Sequence, residues 1–187
     1  MKKITLLFLL VTLFTVNAAF AQDTRFGIKG GLNVATVGGD AENVSGKLGL
    51  HIGGFAQIDI NDLLKFQPEL IYSMQGAKGF DVDRIKHDYI NVPLILKVYP
   101  AKNGFNIQVG PQVGVLVRGK FASDDFSVDL KNQMNNIDFA IGFGLGMDLG
   151  NVLADVRYNY GLNSTASEDA AGTFPNRTLQ VSLGFKL

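Results

Sequence analysis

The sequence predicts an all-β protein: an eight-stranded antiparallel up-and-down transmembrane β-barrel, preceded by a cleaved signal peptide. Three observations lead there. Eight segments alternate between apolar and polar residues, several of them longer than the ~5–6 residues usual in globular sheets. Tight turns and longer polar connections take turns along the chain, the plan of barrels with short periplasmic turns and long external loops. The polar side of the strands carries glycines and charges of both signs, which suits an enclosed interior better than a solvated face.

Composition sets the outer bounds. At 187 residues the chain is one domain with room for a closed barrel. Its 17 basic and 17 acidic residues create no net field for nucleic acid. Cysteine is absent, which excludes disulfides, thiolate chemistry, a lipobox and cysteine metal sites. Twenty-two glycines and fourteen phenylalanines fit tight turns and crowded strand faces.

Residues 1–21 read as a secretory signal peptide. MKK is a basic start, ITLLFLLVTLFTV is apolar, and Ala19-Phe20-Ala21 offers small residues for cleavage after Ala21. The apolar run is too short for an uncleaved anchor helix. Residues 22–187 then form the outer-membrane barrel domain.

The first strand, 25–36, turns Phe26 outward and Lys29 inward. The second, 47–60, places His51 and Asp59 on the inner side, and the turn Asn61-Asp62 follows. In the third, 63–76, Phe66 and Tyr72 oppose Lys65, Gln67, Glu69 and Ser73. The fourth, 85–99, holds His87, Asn91 and Lys97 on its inner parity, and Ala101-Lys102-Asn103-Gly104 closes the next hairpin. The fifth, 104–118, opposes Phe105, Ile107, Val109, Pro111, Val113, Val115 and Val117 to Asn106, Gln108, Gly110, Gln112, Gly114, Leu116 and Arg118. The sixth, 135–149, opposes Ile137, Phe139, Ile141, Phe143, Leu145, Met147 and Leu149 to Asp138, Ala140, Gly142, Gly144, Gly146 and Asp148. Thirteen residues at about 3.3 Å each span roughly 40 Å, enough to cross hydrocarbon at a tilt. After the turn Gly150-Asn151, the seventh strand, 152–163, carries Asp155, Arg157 and Asn159 inward. The last, 175–187, ends the chain on Leu179, Val181, Leu183, Phe185 and Leu187, an apolar row that closes against the first strand and faces lipid.

By parity the lumen holds Lys29, Lys65, Lys97, Arg118 and Arg157 against Asp59, Glu69, Asp138, Asp148 and Asp155. Unpaired charge in a confined interior is costly, so such a set should neutralise itself and plug the barrel. Asn91, Gln67, Gln112 and Asn159 can link the pairs. A soluble barrel with the faces exchanged, such as a lipocalin-like periplasmic binder of a small apolar ligand, is the alternative. It leaves Gly142, Gly144 and Gly146 without a purpose.

The segments GIKGGLN (27–33), QPELIYS (67–73), YINVPLILKVYP (89–100), VGPQVG (109–114) and GFGLGMDL (142–149) resemble the PorT-like family of outer-membrane β-barrels. The resemblance implies an eight-stranded barrel in the outer membrane of a Gram-negative cell. Its prolines, Pro68, Pro93 and Pro111, sit mid-strand and imply bulges or register breaks there.

Little catalytic chemistry is visible. His51 and His87 fall on lumenal parity, but no serine has a nucleophile context, so a lipid-modifying barrel enzyme is the least favoured reading. Asp124, Asp125 and Asp129 match no calcium-site spacing. No cofactor or metal is expected. The longest loop, 119–134, carries Phe121 and Phe126, candidates to anchor an envelope partner or fold over the barrel mouth. The expected role is therefore structural, interaction or assembly duty in the outer membrane. The expected partners are membrane lipid and lipopolysaccharide, the barrel assembly machinery, and an envelope protein met through the loops, with no nucleic acid.

Overall fold

The computed structural model describes residues 24–37, 45–78, 84–101, 103–122, 127–129, 136–164 and 175–187. Residues 1–21, the expected signal peptide, lie outside them, as do Asp124, Asp125 and Phe126. The strands are β1 (Thr24–Val37), β2 (Ser45–Asp59), β3 (Leu64–Lys78), β4 (Arg84–Val98), β5 (Phe105–Ala122), β6 (Ser127–Asp129), β7 (Ile137–Leu149), β8 (Val152–Ser164) and β9 (Pro175–Lys186). All pairings are antiparallel between chain neighbours, except that β5 pairs both β6 and β7 and β1 pairs β9. Eight long strands therefore close into a barrel. The short β6, which the sequence reading did not separate, pairs with the loop-side end of β5 through Lys120↔Asp129 to Ala122↔Ser127.

The β1–β9 seam runs from Gly27↔Lys186 to Val37↔Asn176, and the Leu187 N–H donates to the Phe26 carbonyl at 2.8 Å. The final residues thus complete the ladder, which leaves no open sheet edge among the eight long strands. At the opposite side of each hairpin the short turns behave as their residues dictate. Asn61 Oδ1 accepts from the Leu63 and Leu64 backbone N–H groups, both at 2.9 Å. Gly104 adopts φ 86° and Gly150 φ 61°, conformations that L side chains avoid. A Cβ on Gly104 would also sit 2.1 Å from the Asp148 carbonyl oxygen.

Apolar residues face out. Val109 is 37% exposed, Val113 38%, Phe143 53% and Leu183 65%. Charged and amide residues face in: Lys29, Lys97, Glu69, Asp155 and Arg157 are each at most 4% exposed. A water-soluble barrel would show the reverse, so the inverted, membrane-facing arrangement holds. Phe26 and Phe185 lie on the outer wall near the turns, and Phe139, Tyr158 and Tyr160 nearer the loops, all exposed.

The glycines of β7 make the interior possible. A Cβ on Gly142 would lie 2.8 Å from Asn159 Oδ1 and 3.2 Å from Arg157 Cδ; one on Gly146 would lie 2.5 Å from Gln108 Nε2. The long side chains of β8 and β5 lie across these positions. Gly142→Val is expected to displace Asn159 and Arg157 and to destabilise the folded barrel by about 1–3 kcal/mol, although valine favours strands. Urea unfolding in lipid vesicles measures it, and an unchanged midpoint refutes the space-filling role.

The mid-strand prolines do not make bulges. The β3–β4 ladder skips from Pro68↔Leu94 to Ile71↔Asn91, and the β4–β5 ladder from Pro93↔Gln112 to Leu96↔Val109, with the same register on both sides. Pro111↔Ile141 is an ordinary pair. A proline removes a donor, so pairing lapses locally without a residue being inserted. The register shifts lie nearer the loops, at Gly46/His51, Asp88/Tyr89 and Tyr160/Ser164.

Candidate functional site

A polar network inside the barrel draws on all eight long strands. At its centre is Glu69 on β3. Arg157 of β8 donates to both its carboxylate oxygens, at 2.9 Å each, a forked geometry that is strong and directional. Lys29 of β1 reaches Glu69 at 3.3 Å and Asp155 of β8 at 2.9 Å. Gln67 donates to Glu69 at 2.7 Å, and Arg157 also donates to Gln108 of β5 at 2.8 Å. Two cations and two carboxylates therefore neutralise each other in one layer.

A second centre lies nearer the turns, on Asp148 of β7. Lys97 reaches it at 3.3 Å and Lys186 at 3.0 Å. The Tyr99 hydroxyl donates to it at 3.0 Å, Gln57 at 3.1 Å and Asn106 at 3.3 Å. Lys65 and Asp59 form a half-exposed pair at the rim, 2.9 Å apart.

Toward the loops the network becomes neutral. His51 Nδ1 meets Asn33 Oδ1 at 2.7 Å, and Nε2 meets the Ser182 hydroxyl at 3.0 Å. An amide oxygen only accepts, so Nδ1 donates and the neutral ring accepts from Ser182. Asn33 also donates to the Ser73 hydroxyl at 2.9 Å and accepts from Gln180 at 3.1 Å. The order serine, histidine, amide has the look of a nucleophilic triad. Asn33 is 0%, Ser182 2% and His51 4% exposed, so the hydroxyl and the ring are enclosed by the wall.

Of the residues singled out from the sequence, Lys29, Glu69, Asp155 and Arg157 meet directly, and Lys97 joins the Asp148 centre. Asn91 and Asp138 are buried on the same stretch of wall as Gly114, and the Asn91 amide makes no hydrogen bond to the described residues. Arg118 is not lumenal. The ladder passes from Tyr89↔Leu116 to Asp88↔Arg118, so Val117 is an extra residue on β5 and side-chain parity flips beyond it. Arg118 emerges on the outer wall, its side chain 59% exposed, 3.5 Å from Asp88. Lys186 supplies the lumenal cation that Arg118 does not, which keeps the enclosed charge balanced. Phe121 sits in the backbone ladder between Ile85 and Val128.

The lumen also has an apolar component, of which parity singled out only Leu116. Phe55, Ile71, Ile95, Leu116 and Leu153 are buried among the lumenal rows, with Tyr89 and Tyr99. A Cβ on Gly27 would lie 2.3 Å from the Phe55 ring, so that ring lies flat across the β1 backbone. Each of these residues stands on the polar parity of its strand, and that was the signal the sequence offered.

A family model described as outer membrane protein beta-barrel domain matches residues 20–167. Among solved structures the chain is similar to Neisserial surface protein A (NspA), at 14% identity and TM-score 0.64, covering 89% of this chain and 100% of that one. It is also similar to Ail, the attachment invasion locus protein of Yersinia pestis, at 14% identity and TM-score 0.52, again covering 89% and 100%. Identity this low shows the fold alone. No curated protein matches.

Proposed function

The chain belongs to the outer membrane protein beta-barrel domain family, and from that premise we propose a non-catalytic outer-membrane barrel with a plugged lumen and external loops that do the recognising. The observation that carries the reading is the Glu69 layer. Arg157, Lys29, Gln67 and Gln108 converge from four strands on the middle of an eight-stranded lumen, which is just wide enough for side chains to fill. Within the family the proline-centred segments 67–73 and 89–100 favour the PorT-like branch. Residues 1–21 are taken as the cleaved export signal and 22–187 as the barrel domain. The barrel assembly machinery is the partner that an alternating C-terminal strand such as β9 would engage. The enclosure of Ser182, His51 and Asn33 supports the absence of catalysis.

Planar-bilayer recording tests the plug. Purified barrel is expected to show no steady conductance, whereas Glu69→Ala combined with Arg157→Ala is expected to open measurable ion flow. A porin-like open current from the native protein overturns the proposal. Deleting residues 120–130, which include Phe121, tests the loop: cross-linking in intact cells is expected to lose an envelope partner, and unchanged partners refute the loop role.

A further inference from the structure

One lumenal carboxylate stands outside both charge centres. Asp138 is the second residue of β7, at its loop end, and is 6% exposed. The lumenal cations Lys29, Lys65, Lys97, Arg157 and Lys186 all pair with other acids, and none of the ion pairs among the described residues includes Asp138. Its Oδ1 has no hydrogen-bond partner among them either. Enclosed charges are even in number, but the surplus lysine lies at Asp148, at the far end of β7 and roughly 33 Å along the strand. Coulomb attraction over that distance is small, so the two ends do not neutralise each other. A buried carboxylate without a nearby counter-charge is costly, and ionisable groups in such places mark function by default.

Beside it lies a second unmatched group. Asn91 of β4, Gly114 of β5 and Asp138 of β7 form one rung across three adjacent strands. Asn91 is 1% exposed, and neither its Oδ1 nor its Nδ2 has a partner among the described residues. Both side chains lean over the glycine between them. A Cβ on Gly114 would lie 2.5 Å from Asn91 Oδ1 and 3.5 Å from Asp138 Cβ. The bare glycine therefore leaves a gap flanked by an amide oxygen and a carboxylate oxygen. The backbones of β4 and β7 are two strand steps apart, about 10 Å. Less the reach of two short side chains, that leaves room for one small ion with oxygen contacts of about 2.3–2.6 Å. Tyr89 and Leu116, both buried, flank Gly114 on its loop side, and such apolar walls strengthen any attraction inside.

We propose that Asp138 and Asn91 form a binding site for one small monovalent cation of the sodium class, taken up from the loop side of the barrel. The donors select a hard ion, because both are oxygens. Charge selects the valence: a single positive charge neutralises one carboxylate, whereas a divalent ion leaves an excess in an enclosed space. Water completes the coordination shell, and one such water accepts from Asn91 Nδ2. A bulky cation such as choline does not fit the gap. The ion ties the first turn of the β7 ladder to β4 across β5, and so fastens the wall where the chain re-enters it after the loop 119–134.

The test titrates the complete mature barrel in detergent micelles with sodium chloride, replacing choline chloride at constant ionic strength, and reads bound sodium by its NMR relaxation. The native barrel is expected to bind sodium saturably. It is also expected to unfold in urea at a higher midpoint in sodium than in choline, because an ion that binds only the folded state stabilises it. Asp138→Asn, almost the same in shape, is expected to abolish both effects while keeping heat-modifiable migration, which separates loss of the site from loss of the barrel. Asn91→Leu is expected to weaken sodium binding about tenfold, the equivalent of one hydrogen bond to a charged group. Gly114→Ala puts a methyl into the gap without changing any charge and is expected to weaken sodium likewise. Sodium binding that survives Asp138→Asn, equal midpoints of the native barrel in sodium and choline, or calcium bound in preference to sodium overturns the proposal. So does the infrared band of a protonated Asp138 carboxyl persisting at neutral pH in saturating sodium.

Discussion

Arg157→Met is expected to destabilise the folded barrel by about 3–5 kcal/mol, the usual cost of removing one partner from a buried ion pair. Arg157 and Glu69 side chains are each 1% exposed. The substitution leaves Glu69 with Lys29 at 3.3 Å and Gln67 at 2.7 Å, in a layer that now holds one uncompensated negative charge. Adding Glu69→Gln removes that charge and leaves the Lys29–Asp155 pair, 2.9 Å apart, neutral by itself. The double variant is therefore expected to regain most of the lost stability, since replacing a whole buried pair is often near neutral. Urea titration in lipid vesicles reads both. A single variant that costs under about 1 kcal/mol, or two losses that simply add, contradicts the mutual neutralisation of the layer.

Val109→Arg is expected to cost about 2–4 kcal/mol, the penalty for a cation at the lipid midplane of a barrel. Val109 lies on the outer wall, paired with Phe143 on one side and Leu96 on the other. Along β5 it stands midway between Phe105, near the turns, and Val113, whose partner Phe139 belongs to the loop-side aromatic band. Val109→Leu keeps the surface apolar and is expected to be close to neutral. The contrast isolates charge from shape. If the arginine variant folds as stably as the leucine variant in a bilayer, this face does not meet hydrocarbon.

The two experiments probe opposite sides of one wall, and the sequence spoke unequally about them. Outer positions such as Val109, Phe143 and Leu183 were legible because each needs only to be apolar and in phase. Lumenal positions were legible as a class, and Lys29, Glu69, Asp155 and Arg157 were all placed inside from parity. Which of them touch was not legible. Glu69 and Arg157 are 88 residues apart, and Lys186 meets Asp148 from 38 residues away. Those meetings follow from how far each strand is staggered against the next around the closed wall.

Parity also carries a hidden error. It counts residues from a starting point, so one inserted residue inverts everything beyond it. Val117 is that residue on β5, and nothing in VGVLVRGK announces it. Arg118 consequently left the predicted lumenal set for the outer wall, and Lys186, on the inner parity of β9, took up the balance. The prolines misled in the other direction. Pro68, Pro93 and Pro111 suggested inserted residues, whereas a missing N–H donor needs only a lapse in pairing.

The sequence by itself determined eight long strands from alternation, an antiparallel barrel from the order of its short and long connections, and the outward apolar side from the glycines and charges opposite it. It could do so because the two-residue period is a local property of extended backbone, present wherever a strand has one greasy face. The closed tertiary structure decided the rest: the Glu69 and Asp148 centres, the enclosure of Ser182 with His51, and the escape of Arg118 to the lipid side. These depend on stagger and on single-residue bulges, which set distances between remote strands and leave no periodic trace in any one of them.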